Sequence, residues 1–396
     1  MDKYQERTPT EADRRDHEVI QELTLFPDVV ADAPETEGIK YAGSKRKLLR
    51  YILHLAQKVP AHTVFDGFSG TTRVSQAFAK RGYCVTANDC SVWSQVFGIC
   101  YLLNHKSPAY YLDLIKHLNA VPPTDGWFTQ HYGGLPNGGT SAQEDGLKKP
   151  WQIKNTRKLD AIRDEIDRLS LPRVDKAVAL TSLILALDQV DSTMGHFVSY
   201  LHDWSPRSYN DLVLKVPVVF TTKQDHAVIR SDIFDILPTV KADLAYFDPP
   251  YGSSNEKMPS SRVRYASYYH PWTTICLHDR PQLFGKANRR NDTSDTVAGS
   301  VFEEFRRSSA GRFIAVESID RLLKSANVQW VILSYSSGGR ATAADLKDAI
   351  ATSGKVLEVQ EIDYRKNAMA GMKWTNDWIR EAEQPHREFL FLIEKT

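Results

Sequence analysis

The sequence predicts an α/β fold with a mostly parallel, Rossmann-like sheet, and this prediction depends on three observations. The apolar run Leu244–Phe247 lies between charged residues and two prolines, which is typical of a buried parallel strand. Residues 63–89 have the pattern strand, glycine turn, helix, strand, which is the order of a βαβ unit. Further strands are predicted at 227–230, 328–335, 356–364 and 388–393, the last two as a C-terminal antiparallel pair.

Composition limits the classes of function. The chain has 396 residues, of which 42% are hydrophobic and 25% charged, with a net charge of +1. It is therefore globular, and any contact with nucleic acid must come from local clusters of charge. The four cysteines show no metal-binding spacing, so no metal is expected and the thiols fit a reduced, cytoplasmic protein. The longest apolar run, 178–187, is too short to cross a membrane.

The N-terminal part contains one candidate site segment. Residues 1–37 mix acids, bases and prolines, which predicts a flexible arm and no secretory signal. Ser44 is expected to cap a helix with apolar positions at 48–55. Tyr41 and Lys45 would lie near the start of that helix, a location suited to a carboxylate, although an ordinary cap with a solvated lysine explains the pattern as well.

The βαβ unit carries two acids around a glycine turn. Asp66, Gly67 and Gly70 follow the first strand, and Asp89 follows the second. The full three-glycine fingerprint is missing, which disfavours a dinucleotide. Two acids suit a ligand that has an ammonium group and a ribose, and S-adenosylmethionine has both. A purely structural βαβ unit remains the alternative.

Residues 101–217 interrupt the alternation of strands and helices. They predict a helix at 110–118, a polar loop at 121–150, an amphipathic helix at 151–169 and a buried helix at 174–190. The polar side of the amphipathic helix carries Lys154, Arg157, Lys158 and Arg163, which a solvated surface explains best. Arg207 and Asn210 are better candidates for DNA contacts, because arginine and amide side chains read base edges.

The predicted catalytic motif is Asp248-Pro249-Pro250-Tyr251 at the end of the central strand. Open α/β sheets bind ligands at this edge, and the prolines stiffen the turn there. A carboxylate and free carbonyls can accept both N–H bonds of an exocyclic amine, while a tyrosine ring can stack on the base. The alternative is a proline turn with an incidental acid.

Aromatic and basic residues follow this motif. Tyr265 and Tyr269 belong to an aromatic cluster that could stack on an extruded base or form a satellite core. Lys373 lies in the loop 366–386 between the last two strands and is a candidate DNA contact.

With these stretches placed, the chain resembles the Dam-like family of adenine-specific DNA methyltransferases, in which the cofactor motif precedes the catalytic motif. The matching features, in order, are residues 40–45, 66–70, 88–89 and 248–251. The resemblance implies that Tyr41, Lys45, Asp89 and Asp248 contact S-adenosylmethionine and that Asp66 lies at its methionine end. Ser44 stands where a glycine is common. The stretches 121–150 and 252–312 are longer than in the smallest members of the family. The resemblance therefore does not imply which residues of this chain recognise the target sequence.

These observations lead to one reading of the chain. Residues 38–100 and 218–396 are expected to form an S-adenosylmethionine-binding catalytic domain with a Rossmann-like methyltransferase sheet. Asp232 is expected to be a further contact of this domain with the cofactor. Residues 101–217 are expected to form an inserted target-recognition region. The expected activity is methylation of the 6-amino group of adenine in double-stranded DNA, by a monomer, in a restriction-modification system with a cognate endonuclease or as a stand-alone enzyme. Methylation of cytosine's 4-amino group, methylation of RNA adenine and a non-catalytic specificity subunit are the alternatives.

Overall fold

The fold was analysed in a computed structural model. It describes residues 32–252, 264–294, 299–336, 338–363 and 387–396. The residues from Ala33 onward belong to one unit. Most of the predicted arm at 1–37, the stretch 253–263 and the loop that contains Lys373 lie outside the described residues.

A seven-stranded sheet organises this unit, and its strand order is β6-β7-β5-β4-β1-β2-β3. The strands are β1 (Thr63–Asp66), β2 (Cys84–Asn88), β3 (Ala227–Ile229), β4 (Leu244–Phe247), β5 (Trp330–Ser336), β6 (Gly354–Asp363) and β7 (Arg387–Lys395). Strands β1 to β5 are parallel, whereas β7 pairs antiparallel with both β5 and β6. The predicted Rossmann-like sheet with a C-terminal antiparallel pair is therefore confirmed.

Helices cover both faces of the sheet, as a mostly parallel sheet requires. The helices are α1 (Leu49–Ala56), α2 (Arg73–Lys80), α3 (Val92–Leu102), α4 (Leu112–Ala120), α5 (Trp127–Tyr132), α6 (Ile153–Arg168), α7 (Arg173–Gln189), α8 (Ile233–Ile236), α9 (Tyr265–Tyr268), α10 (His270–Leu277), α11 (Ile314–Ser325) and α12 (Ala343–Ala351). Along β1, Val64 packs with α1 and α2, while Phe65 packs with α11 and α12 on the opposite face. The packing on each face of the sheet forms one hydrophobic core, and a third hydrophobic core contains residues of α3, α6, α7 and α10. None of the described helices is long and apolar enough to cross a membrane.

Three local predictions were wrong. The stretch 121–150, predicted to be a polar loop, contains the helix α5. The Ser44 side chain makes no capping hydrogen bond: a short 3-10 helix, Lys45–Lys47, follows it, and α1 begins only at Leu49. Arg163 does not lie on a solvated helix face, since it is 1% exposed and its Nε donates to the Ile275 carbonyl. Sequence periodicity placed Arg163 on the polar side of α6, but α10 packs on that side and supplies the acceptor.

Candidate active site

A cavity lies at the carboxyl edge of the sheet, where β1, β2, β3 and β4 end. Its wall combines the segment 41–45, the turn after β1 and the first residue of the catalytic motif. The polar and charged wall residues include Lys45, Asp66, Arg73, Asn88, Asp89, Asp232, Asp248, Tyr265 and Glu303. Parallel strands bring their carboxyl ends to one edge, so acids that are far apart in the sequence converge here.

Asp66 is the most buried acid of this cavity, with no exposed side-chain surface. Its Oδ2 accepts a hydrogen bond of 2.5 Å from the Ser75 hydroxyl, while Oδ1 has no partner in the described protein. Burial raises the pKa of Asp66 to about 7. Gly67 lines the cavity, and packing also requires a glycine there because a Cβ atom would lie 2.8 Å from the Phe247 ring.

Asp89 organises the glycine turn. Its carboxylate accepts hydrogen bonds from the backbone N–H groups of Gly70 (2.9 Å) and Ser91 (2.8 Å), and burial raises its pKa. Gly70 adopts a φ of +47°, and a Cβ atom there would approach the Tyr41 hydroxyl to 3.3 Å. A glycine therefore fits both the backbone conformation and the contact with Tyr41.

Asp248 belongs to a network of charges. Its Oδ1 lies 3.1 Å from the Lys45 ammonium and accepts a hydrogen bond from the Tyr251 hydroxyl. Glu388, from β7, accepts from Lys45 at 2.7 Å, and its Oε1 lies 2.5 Å from the Tyr251 hydroxyl, whose single proton is shared between the Asp248 and Glu388 carboxylates. Burial raises the pKa of Asp248 to about 6, although Lys45 opposes the shift. Burial lowers the pKa of Lys45, but the charges of Asp248 and Glu388 outweigh it and raise that pKa.

The rest of the catalytic motif differs in part from the expected arrangement. Pro249 is buried, and Pro250 is the proline that lines the cavity. The Tyr251 ring packs on Tyr335, with ring centroids 4.8 Å apart, and its hydroxyl faces Asp248. Tyr251 is not among the residues that line the cavity, so in this structure its ring does not offer a stacking surface there.

Tyr41 stacks on two rings from α9 and the residue after it. The ring centroids lie 5.2 Å from Tyr265 and 4.8 Å from Tyr269. Tyr265 lines the cavity, whereas Tyr269 is fully buried and accepts a hydrogen bond of 2.7 Å from the Ala42 N–H. The cluster therefore packs against the 41–45 segment and places Tyr41 and Tyr265 on the cavity wall.

The other predicted contacts lie elsewhere or have structural roles. Arg207 is held by Asp191 (Nη2 to Oδ1, 2.6 Å) and donates to the Thr193 carbonyl. Asn210 is exposed, and its backbone carbonyl accepts from Asn155. Asp232 lies on the cavity wall and caps α8 through the Phe234 N–H.

Two acids of the site were missed by the sequence analysis. Glu303 is 2% exposed, lines the cavity, and accepts a hydrogen bond of 2.9 Å from the Tyr265 N–H; burial raises its pKa to about 7. Glu388 reaches the catalytic motif from the last strand. Neither acid stands in a motif, although Glu388 could have been suspected because an antiparallel last strand begins at the edge where the parallel strands end.

Comparison with known protein families identifies the family of this chain. The sequence profile of the D12 class N6 adenine-specific DNA methyltransferases matches residues 41–318, and the chain belongs to this family. The match includes every cavity acid described above and confirms the resemblance drawn from the motifs.

Three proteins that are similar to this chain are methylases or methyltransferases by name. The chain is 26% identical over 352 residues to the modification methylase StsI of Streptococcus sanguinis, covering 83% of this chain and 48% of that protein. It is 25% identical over 369 residues to the type II methyltransferase M.NlaIII of Neisseria lactamica, covering 90% of this chain and 100% of that protein. It is 24% identical over 378 residues to the type II methyltransferase M.FokI of Planomicrobium okeanokoites, covering 90% of this chain and 53% of that protein. The chain thus spans about half the length of StsI and M.FokI.

Proposed function

We propose that this chain transfers a methyl group from S-adenosylmethionine to the 6-amino group of adenine in double-stranded DNA. The observation that carries the proposal is the Asp248 carboxylate beside the cavity. Within the described residues its hydrogen bonds fall on Oδ1, which leaves Oδ2 available as an acceptor for an N–H group. The adenine specificity in the family's description supports the choice of base.

The donor set of the cavity fits S-adenosylmethionine. Asp66 holds a buried carboxylate oxygen that has no partner, and such an atom is costly unless a cationic or N–H group pairs with it. The ammonium group of the methionine part meets that requirement. Asp89, directly after β2, is the acid for ribose hydroxyls. The other proposed contacts are Tyr41, Lys45, Gly67, Gly70, Asp232 and Asp248, which also line the cavity.

The residues of the chain position the amine and stabilise charge. Asp248 accepts an N–H bond of the amine, and the Pro250 segment closes the wall beside it. Because the pKa of Asp248 is about 6, the carboxylate is mostly ionised at pH 7.5 and the activity should fall as the pH drops through 6. When bound, S-adenosylmethionine would supply an electrophilic methyl group to the N6 lone pair, with the C–S electron pair leaving to sulfur and the proton of the amine passing to solvent.

We further propose that the chain works as a cytoplasmic monomer on duplex DNA and serves as the modification enzyme of a restriction-modification system. The names of the relatives support the modification role. Residues 101–217, together with Tyr265, Arg207, Asn210 and the loop of Lys373, are the proposed region of DNA contact. The catalytic domain comprises 38–100 and 218–396.

The direct test uses S-adenosylmethionine with a labelled methyl group and duplex DNA of mixed sequence, followed by digestion to nucleosides. We expect the label in 6-methyladenine, and RNA of the same sequence should compete poorly. Label in 4-methylcytosine, in RNA or in protein would contradict the proposal. Binding of DNA without S-adenosylmethionine binding, measured by calorimetry, would favour a specificity subunit instead.

A further inference from the structure

Glu388 reaches the catalytic motif because of the direction of β7. Strand β7 runs antiparallel to β5, with Glu388 opposite Ser336. Its amino end therefore lies at the edge where β4 and β5 have their carboxyl ends. The side chain is 8% exposed, so its charge is largely removed from water.

Three groups lie within hydrogen-bond distance of one oxygen of this side chain. Glu388 Oε1 accepts from Lys45 Nζ at 2.7 Å and from the Ser334 hydroxyl at 3.0 Å, and it lies 2.5 Å from the Tyr251 hydroxyl, whose proton it shares with Asp248. A buried carboxylate with several donors is held in one orientation. Glu388 thus connects the 41–45 segment, the catalytic motif and β5 at one point, although it is not on the cavity wall.

The charges of this network do not balance. Lys45 carries one positive charge, while Asp248 and Glu388 carry one negative charge each, which gives a net charge of −1 when all three are ionised. The lysine nitrogen lies closer to Glu388, at 2.7 Å, than to Asp248, at 3.1 Å. Without Glu388, the lysine and Asp248 would form a neutral pair, and Asp248 would be a weaker acceptor.

We propose that Glu388 is a positioning residue for methyl transfer: it holds the Lys45 ammonium closer to itself than to Asp248 and shares the Tyr251 hydroxyl with Asp248, and so keeps the Asp248 carboxylate a strong acceptor for the amine. The inference rests on the proposed function, because it assigns Glu388 a part in that reaction. Glu388 does not line the cavity and reaches the site only through its neighbours, of which Lys45 is on the cavity wall. Its effect must therefore pass through Lys45, Tyr251 and Asp248.

The inference predicts a specific pH effect. The groups that face Asp248 are Lys45, Glu388 and Asp66, with the hydroxyls of Tyr41, Tyr246, Tyr251 and Tyr265. Burial raises the pKa of Asp248, Lys45 lowers it, and the negative charge of Glu388 raises it further. Removing that charge should lower the pKa of Asp248, so the acid limb of the activity profile should move to lower pH.

The test compares the wild-type protein with Glu388→Gln, which keeps the shape and removes the charge. We expect kcat for DNA methylation to fall about 10- to 100-fold, as for a misplaced catalytic group. The acid limb of kcat/KM should move down by about half a pH unit or more. The dissociation constant of S-adenosylmethionine, measured by calorimetry, should change by less than about threefold because Glu388 is outside the cavity.

Two further variants serve as controls. Ser334→Ala removes one hydrogen bond to Glu388 but no charge, so its acid limb should stay at the wild-type pH. Glu388→Asp keeps the charge on a shorter side chain, so the acid limb of its kcat/KM profile should stay at the wild-type pH while kcat falls. This variant also takes the place of Glu388→Gln in the test if the Glu388→Gln protein does not fold.

The inference is overturned if kcat of the Glu388→Gln protein stays within twofold of wild type. It is also overturned if kcat and cofactor affinity fall together while the acid limb stays in place, because that result indicates a structural role. If Glu388→Gln does not fold, a wild-type kcat in Glu388→Asp overturns it instead. A wild-type protein that does not methylate adenine would contradict the proposed function itself, independently of the variants.

Discussion

The substitution Asp66→Asn tests whether the free oxygen of this buried acid binds the cationic end of the cofactor. Asp66 is 0% exposed, and its Oδ1 has no partner in the described protein. Asparagine keeps the shape and an acceptor but removes the charge. A hydrogen bond between charged groups contributes about 1.5–3 kcal/mol, so the dissociation constant of S-adenosylmethionine should rise about 10- to 150-fold.

The pH dependence of binding makes the test more specific. Because the pKa of Asp66 in the free protein is about 7, a cation that pairs with it must displace a proton below that pH. The wild-type affinity should increase about tenfold between pH 6 and pH 8, with protons released on binding. Calorimetry in two buffers of different ionisation enthalpy measures that release. The Asp66→Asn protein should lack this component, and it controls for titration of the ligand itself.

The stability of the cofactor-free protein should fall as the pH rises, whereas the cofactor affinity should increase. The folded-state pKa of Asp66, about 7, lies above its ordinary value of 3.8, so the unfolded chain loses the proton first. Stability is therefore lost as the pH rises from about 4 to about 7, by at most about 4 kcal/mol. The free Asp66→Asn protein should be more stable than wild type at pH 8, and the difference should vanish near pH 4. Urea unfolding at both pH values measures this.

The matched control is Ser75→Ala, which removes the donor to Oδ2 and leaves the charge of Asp66 in place. Its cofactor affinity should keep a pH dependence, moved to higher pH because the Ser75 hydroxyl lowers the pKa of Asp66 in the wild type. The reasoning would be refuted if Asp66→Asn bound S-adenosylmethionine within twofold of wild type. It would also be refuted if affinity and stability at pH 8 both fell, since Asp66 would then serve folding rather than binding.

Three further predictions concern other parts of the site. Asp248→Ala should abolish methyl transfer while DNA binding, measured by gel shift, changes by less than about threefold; an equal loss of both would indicate a folding role. Gly70→Ala forces an alanine to a φ of +47° and against Tyr41, so it should cost about 1 kcal/mol of unfolding free energy in urea titrations and weaken cofactor binding; unchanged stability would contradict the backbone argument. Asp191→Asn removes the buried partner of Arg207, so it should lower the melting temperature by several degrees without changing the pH profile of activity; an altered profile would place Asp191 in the catalytic network.

The strands of the sheet could be predicted because each has a local signal. The apolar run 244–247 and the strand ending at Asp66 are short, buried on both faces and followed by proline or glycine. The same signal identified the acids Asp66, Asp89 and Asp248, since each directly follows or ends a strand. Local sequence therefore predicts the acids that parallel strands deliver to the edge of the sheet.

Contacts between distant segments could not be predicted in the same way. The bond from Lys45 to Glu388 spans 343 positions and exists because β7 inserts between β5 and β6 in the reverse direction. Likewise, Arg163 has the periodicity of a surface residue, and only the packing of α10 makes it a buried donor. In both cases the partner comes from an element whose position depends on the whole fold.

The charge of the cavity limits what can enter it under the proposed function. Among the wall residues that the structure describes are five acids and two cations. The acids are Asp66, Asp89, Asp232, Asp248 and Glu303, and the cations are Lys45 and Arg73. DNA phosphates would be repelled by such a wall, whereas a neutral base with an amino group can donate hydrogen bonds to it. The cavity is thus suited to an adenine that has left the duplex, and the phosphates on either side must be bound by residues outside it.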